Sequence, residues 1–133
     1  MRISYLVGRL DRLLRTRLGD ALKPHRLTLA EYTVLSVLDA RSGLSNAQLA
    51  RRALITPQAM NEVLGRLESR RLVKRGPPAG RARPAELTAA GRRLLAAADS
   101  SVDAVERTML AGLGRDDRSR LKDALDVISR HLI

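Results

Sequence analysis

The chain has 133 residues, a net charge of +11 and no cysteine. That length suits one domain with room for a core, and the missing cysteine excludes disulfides, thiolate metal sites and thiol-based redox sensing within the chain. So basic a balance predicts a polyanionic partner, nucleic acid ahead of an anionic membrane surface. No apolar run approaches the roughly 18 residues that a membrane span needs. The only aromatic residues are Tyr5 and Tyr32, so the core must be aliphatic, which suits packed helices better than a sheet. Arginine supplies 22 of the 25 basic residues. A GC-rich genome accounts for the choice of arginine over lysine but not for the excess of bases over acids. With Arg2, Arg9, Arg12, Arg15 and Arg17 interrupting it, the first segment does not read as a signal peptide, and a cytoplasmic, nucleoid-associated protein is expected.

Ile3, Leu6, Leu10, Leu13, Leu14, Leu18 and Leu22 recur at helical spacing, and Lys23-Pro24 ends that helix. Thr28-x-x-Glu31 reads as a capping box opening a second helix through Leu29, Val34, Leu35 and Leu38, stopping near Ser42-Gly43. Ser45-x-x-Gln48 is a second capping box, starting a short helix from Asn46 to about Ala53. Thr56-Pro57 is an N-cap followed by a first-turn proline, and the helix to about Arg70 buries Met60, Val63, Leu64 and Leu67. Two short helices joined by a tight turn make a helix-turn-helix. Leu72-Val73-Lys74-Arg75 alternates like a strand, residues 76–80 read as a loop tip, and the stretch from Arg83 to Leu87 is a returning edge strand, since Pro84 cannot donate to a ladder. Together they form a wing. Thr88 caps a long helix carrying Leu94, Leu95, Ala98, Val102, Val105 and Met109, which Gly112 and Gly114 break. Asp116-Asp117 opens a last helix with Leu121, Leu125, Ile128 and Leu132. From Ser45 to Thr88 nine basic residues face three acids, leaving +6 on about a third of the chain.

Leu29, Leu35 and Leu38, then Leu44-Ser45 with Leu49-Ala50, form a recognisable series. It continues through Thr56-Pro57-Gln58-Ala59-Met60-Asn61, Leu67-Glu68-x-Arg70-x-Leu72-Val73-x-Arg75, Gly80-Arg81-x-Arg83 and Leu87-Thr88-x-x-Gly91-Arg92. In this order and spacing the words from Thr28 to Leu95 resemble the multiple antibiotic resistance regulator (MarR) family. The resemblance implies a mainly α fold with a small β-wing: a single domain over residues 1–133, with the winged helix-turn-helix at 28–91 between dimerisation helices at 1–27 and 92–133. It implies a homodimer on a pseudo-palindromic operator in double-stranded DNA, with repression the expected sign. It also implies release from DNA by a small, lipophilic or phenolic effector. The wing departs from the family pattern, with Ala79 where an Asp usually stands two residues before the wing arginine, and with a tip about two residues short.

On the reading helix, burial of the apolar stripe turns Gln58, Asn61, Glu62 and Arg66 outward. Its N-terminal half reads bases, and Asn or Gln bonds adenine bidentately, so Gln58 and Asn61 are the expected base readers, with Ala59 facing a thymine methyl. Arg66, Arg70 and Arg75 are expected on the DNA backbone, joined by Ser45 and Thr56 as helix starts, although capping explains those two hydroxyls equally well. Arg81 and Arg83 are expected to enter the minor groove or contact phosphate from the wing. The resemblance places an effector pocket near the first two helices, making Leu6, Arg9, Leu13 and Tyr32 candidates. The competing reading is that both tyrosines simply pack. His25 and His131 are too few for a metal site. Ser100-Ser101 and Asp116-Asp117 lack partners for catalysis. Neither metal, cofactor nor enzymatic activity is expected. A nonspecific architectural protein of the nucleoid and a winged-helix protein-interaction module remain as alternatives.

Overall fold

The computed structural model of the chain describes residues 1–76 and 84–133. Helix α1 (Ile3–Leu22) runs into a single 3₁₀ turn, Lys23–His25, and helices α2 (Leu29–Ala40), α3 (Asn46–Ala53) and α4 (Pro57–Ser69) follow. Strands β1 (Val73–Arg75) and β2 (Ala85–Leu87) precede the long helices α5 (Ala89–Met109) and α6 (Arg115–His131). The wing tip, with Ala79, Arg81 and Arg83, lies outside the described residues.

The helix starts follow their caps. Thr28 Oγ1 accepts from the Glu31 amide at 3.1 Å while Glu31 Oε1 accepts from the Thr28 amide at 2.8 Å. Ser45 and Gln48 make the same reciprocal pair at 3.2 and 2.9 Å. Thr56 accepts from the Ala59 amide, with Pro57 in the first turn, where its missing N–H costs nothing. The helix ends were less visible. Arg26, Leu54 and Arg71 all take left-handed conformations with φ near +57°. Each sits in a Schellman turn, as Leu27, Ile55 and Leu72 donate back to Leu22, Ala50 and Leu67. Glycine usually fills this place, and none of the three is glycine. The last of these turns uses the Leu72 amide, and the Thr88 amide takes the Leu72 carbonyl. Leu72 is therefore a junction and β1 begins one residue later than the alternation implied.

β1 and β2 pair antiparallel with Val73 opposite Leu87, Lys74 opposite Glu86 and Arg75 opposite Ala85. Val73, Ala85 and Leu87 face the core, while Lys74 and Glu86 face water. Thr88 Oγ1 accepts from the Gly91 amide and donates to the Arg71 carbonyl at 2.7 Å, tying the start of α5 to the end of α4. Gly91 is required there, since a Cβ would lie 2.1 Å from the Leu72 carbonyl oxygen.

Among the described residues one core of twenty buried apolar residues spans Leu22 to Val102 and is built chiefly from α2, α3, α4, the two strands and α5. α1 buries only Leu22, and α6 buries nothing on its own chain. Both expose apolar side chains, among them Ile3, Leu6 and Leu10 on α1 and Leu125 and Ile128 on α6.

Candidate nucleic-acid interface

The apolar stripe of α4 (Met60, Val63, Leu64 and Leu67) is fully committed to the core. At 100° per residue that turns Gln58, Asn61, Glu62, Gly65 and Arg66 outward, and all five are exposed, with Ala59 half-buried. Gln58 and Asn61 therefore stand on the exposed arc at the N-terminal end of the helix, as the sequence implied. The Ser45 and Thr56 hydroxyls accept from backbone amides within their own helix starts.

The three arginines assigned to the backbone differ in geometry. Arg66 keeps about half its side chain exposed (51%) and reaches Glu31 across 3.6 Å. Glu31 is only 5% exposed and its other oxygen serves the capping box, so Arg66 supplies the countercharge for a buried carboxylate while keeping donors for an outside acceptor. Arg70 is turned inward, with its two terminal nitrogens donating to the carbonyls of Arg26 (2.5 Å) and His25 (3.3 Å) in the turn after α1. Arg75 is 21% exposed and pairs with Glu68 at 2.8 Å. It also reaches Asn46 Oδ1 at 3.5 Å, and Asn46 Nδ2 donates to Asn61 Oδ1 at 2.9 Å. The guanidinium groups of Arg70 and Arg75 thus serve internal acceptors first, which differs from the expectation that they face phosphate. Asn46 carries no signal of its own in the sequence. A polar residue in the first turn of a helix is routine, and nothing in the order of residues links positions 46, 61 and 75. Arg51 and Arg52 on α3, Arg71 after α4 and Lys74 on β1 are also exposed.

A groove of about 590 Å³ runs between α1 and α5. Leu10, Leu13 and Leu14 form one wall, Val105 and Met109 the other, and Arg17 is its charged residue. Of the four sequence candidates for an effector pocket, Leu13 lines this groove. Leu6 and Arg9 lie exposed nearer the start of α1, and Tyr32 faces elsewhere. The Tyr32 hydroxyl donates to Asp99 on α5 at 2.5 Å, and burial, reinforced by that carboxylate, pushes its pKa up to about 12. His25 Nε2 lies 2.9 Å from Ser101 Oγ, making a second polar bridge from the α1–α2 junction to α5. Among the described residues no group of three or more His, Asp or Glu is placed to hold a metal, and no helix is long and apolar enough to cross a membrane.

Residues 26–84 match the MarR family. The HTH-type transcriptional repressor Rv2887 of Mycobacterium tuberculosis is 41% identical over 126 residues, covering 93% of this chain and 91% of that protein. The crystal structure of Rv2887, a MarR family protein, in complex with DNA superposes with a TM-score of 0.81 at 39% identity, over 96% of this chain and 98% of that one. Its complex with p-aminosalicylic acid gives 0.81 at 40% identity, over 97% and 99% of the two chains.

Proposed function

The chain belongs to the MarR family, and from that premise we propose that it is a homodimeric transcriptional repressor that binds double-stranded DNA and responds to a small ligand. The observation that carries this reading is the outward arc of α4, with Gln58 and Asn61 exposed at the end of a helix whose other face is locked into the core. Two such helices, one per protomer, enter successive major grooves about 34 Å apart. Residues 28–91 act as the reading head, and the helices within 1–27 and 92–133 join the copies. Support for this division comes from the apolar faces that α1 and α6 leave exposed outside the core. Each copy carries +11, so the contact between copies must be apolar while the charge is spent on phosphate.

Gln58, Ala59 and Asn61 read bases. Ser45, Thr56 and Arg66 contact the backbone, and Arg70 and Arg75 hold the head in shape around them. Arg81 and Arg83 extend the contact from the wing. The groove between α1 and α5 takes the ligand. Leucine and valine walls with Arg17 beside them suit a lipophilic or phenolic carboxylate, and p-aminosalicylic acid is bound by the relative Rv2887. The protein works in the cytoplasm on the nucleoid and catalyses no reaction.

The test is a fluorescence-anisotropy titration of the DNA upstream of its own coding sequence and of a scrambled duplex, at one moderate salt concentration, with and without p-aminosalicylate. The reading requires at least about a hundredfold preference for the operator and loss of that preference with ligand. Equal affinity for both duplexes, repeated with duplexes selected from random DNA, would leave an architectural protein.

A further inference from the structure

We propose that Asn46 is a positioning residue for base readout, fixing which end of the Asn61 amide faces the DNA. The inference rests on the reading of α4 as the recognition helix. An asparagine amide has an oxygen and a nitrogen of nearly equal shape, so an exposed asparagine can present either an acceptor or donors by turning over. Here the choice is made by a chain of hydrogen bonds from outside the helix. Arg75, on β1, is held by Glu68 at 2.8 Å. A guanidinium carries donors only, so the atom of Asn46 that meets Arg75 must be its Oδ1, at 3.5 Å. That leaves Asn46 Nδ2 on the α4 side, where it donates to Asn61 at 2.9 Å, and the Asn61 atom receiving it must be Oδ1. Asn61 Nδ2 is thereby the amide end left free on this exposed residue. Turning both amides over would keep the Asn46–Asn61 bond but set Asn46 Nδ2 against the Arg75 guanidinium, so the Arg75 contact selects this orientation.

The consequence is a change in what Asn61 reads. An unconstrained asparagine suits adenine, bonding both N6 and N7. With one of the two lone pairs of its oxygen engaged by Asn46, Asn61 has its two amide N–H donors free, and the balance shifts toward acceptors on the major-groove edge: guanine O6 and N7 or thymine O4. The order of base preference is thus set partly from β1 and α3, two elements that need not touch that base.

The experiment is selection of binding sites from random duplex DNA by the wild type and by Asn46→Asp and Asn46→Ala, with relative affinities then measured across all four bases at each position. Asn46→Asp offers only acceptors. It still pairs with Arg75, but Asn61 must turn Nδ2 toward it and Oδ1 toward the DNA. The wild type is expected to favour guanine or thymine at one position in each half-site. Asn46→Asp is expected to favour cytosine or adenine there, whose amino groups donate, with the ratio moving by about fivefold or more, the worth of one net hydrogen bond. Asn46→Ala is expected to flatten the preference at that position alone. A uniform loss of affinity in either variant with the order of bases unchanged would overturn the proposal, because a merely structural role gives that result. A wild type that selects no sequence would overturn the recognition reading itself, and the proposal with it.

Discussion

Tyr32 shows how much a single residue's meaning depends on its neighbour. From the sequence it was one of two rings available to a pocket. In the structure its hydroxyl is spent on Asp99, 67 residues away, and joins α2 to α5. With its pKa pushed up to about 12, the folded chain holds this proton more tightly than the unfolded chain, where a tyrosine loses it near 10. Below pH 10 both states are neutral and the bond contributes fully. As pH rises from 10 to 12 the unfolded state ionises first, so stability falls over that window. Urea denaturation at pH 8 and at pH 11 should show Tyr32→Phe less stable than wild type at pH 8, with a smaller loss between the two pH values. Asn61 carries the same lesson. Its exposure followed from the helical period, but its amide orientation depends on Asn46 and Arg75, which no local pattern connects to it.

At the scale of elements, helix starts were legible and helix ends were not. The starts are written in short range: Thr28 with Glu31, Ser45 with Gln48, Thr56 with Pro57, and Thr88 three residues before Gly91. The ends turn on left-handed residues at Arg26, Leu54 and Arg71, and side chains without glycine's freedom give no signal for such a turn. Leu54 pays for this with a side chain 90% exposed in the turn of the helix-turn-helix. The junction of α4, β1 and α5 is closed by Gly91, which in the sequence stands only as part of a family word. Its backbone lies so near the Leu72 carbonyl that Gly91→Ala must push α5 away from the sheet. A loss of about 3 kcal/mol is expected by denaturant titration, with a parallel loss of DNA binding, since β1 carries Arg75. Wild-type stability in Gly91→Ala would mean that α5 does not seat where the structure puts it.

The whole molecule divides into a core that one chain closes by itself and outer helix faces that it leaves open. Every member of the buried core lies between Leu22 and Val102. α6 buries nothing on its own chain, yet carries Leu121, Leu125 and Ile128 at helical spacing, with Leu132 as its C-cap. That amphipathic pattern was plain in the sequence, but its partner was not, because one chain's order of residues does not state what a second copy covers. Leu125→Glu places a charge on this face. It should weaken self-association at least tenfold in sedimentation equilibrium, since a charge buried without a partner costs several kcal/mol. Helix content should stay unchanged because the core is untouched. A variant that remains as dimeric as wild type would remove α6 from the interface.

The central claim is that the exposed arc of α4 recognises sequence. It is tested most directly by titrating wild type, Asn61→Ala and Arg66→Ala against the operator and a scrambled duplex at several salt concentrations. Wild type should prefer the operator by about a hundredfold or more, and Asn61→Ala should narrow that gap. Arg66→Ala should weaken both duplexes alike and reduce the log–log salt slope by about 0.9 per protomer. An Asn61→Ala protein that keeps the full wild-type preference would contradict the account.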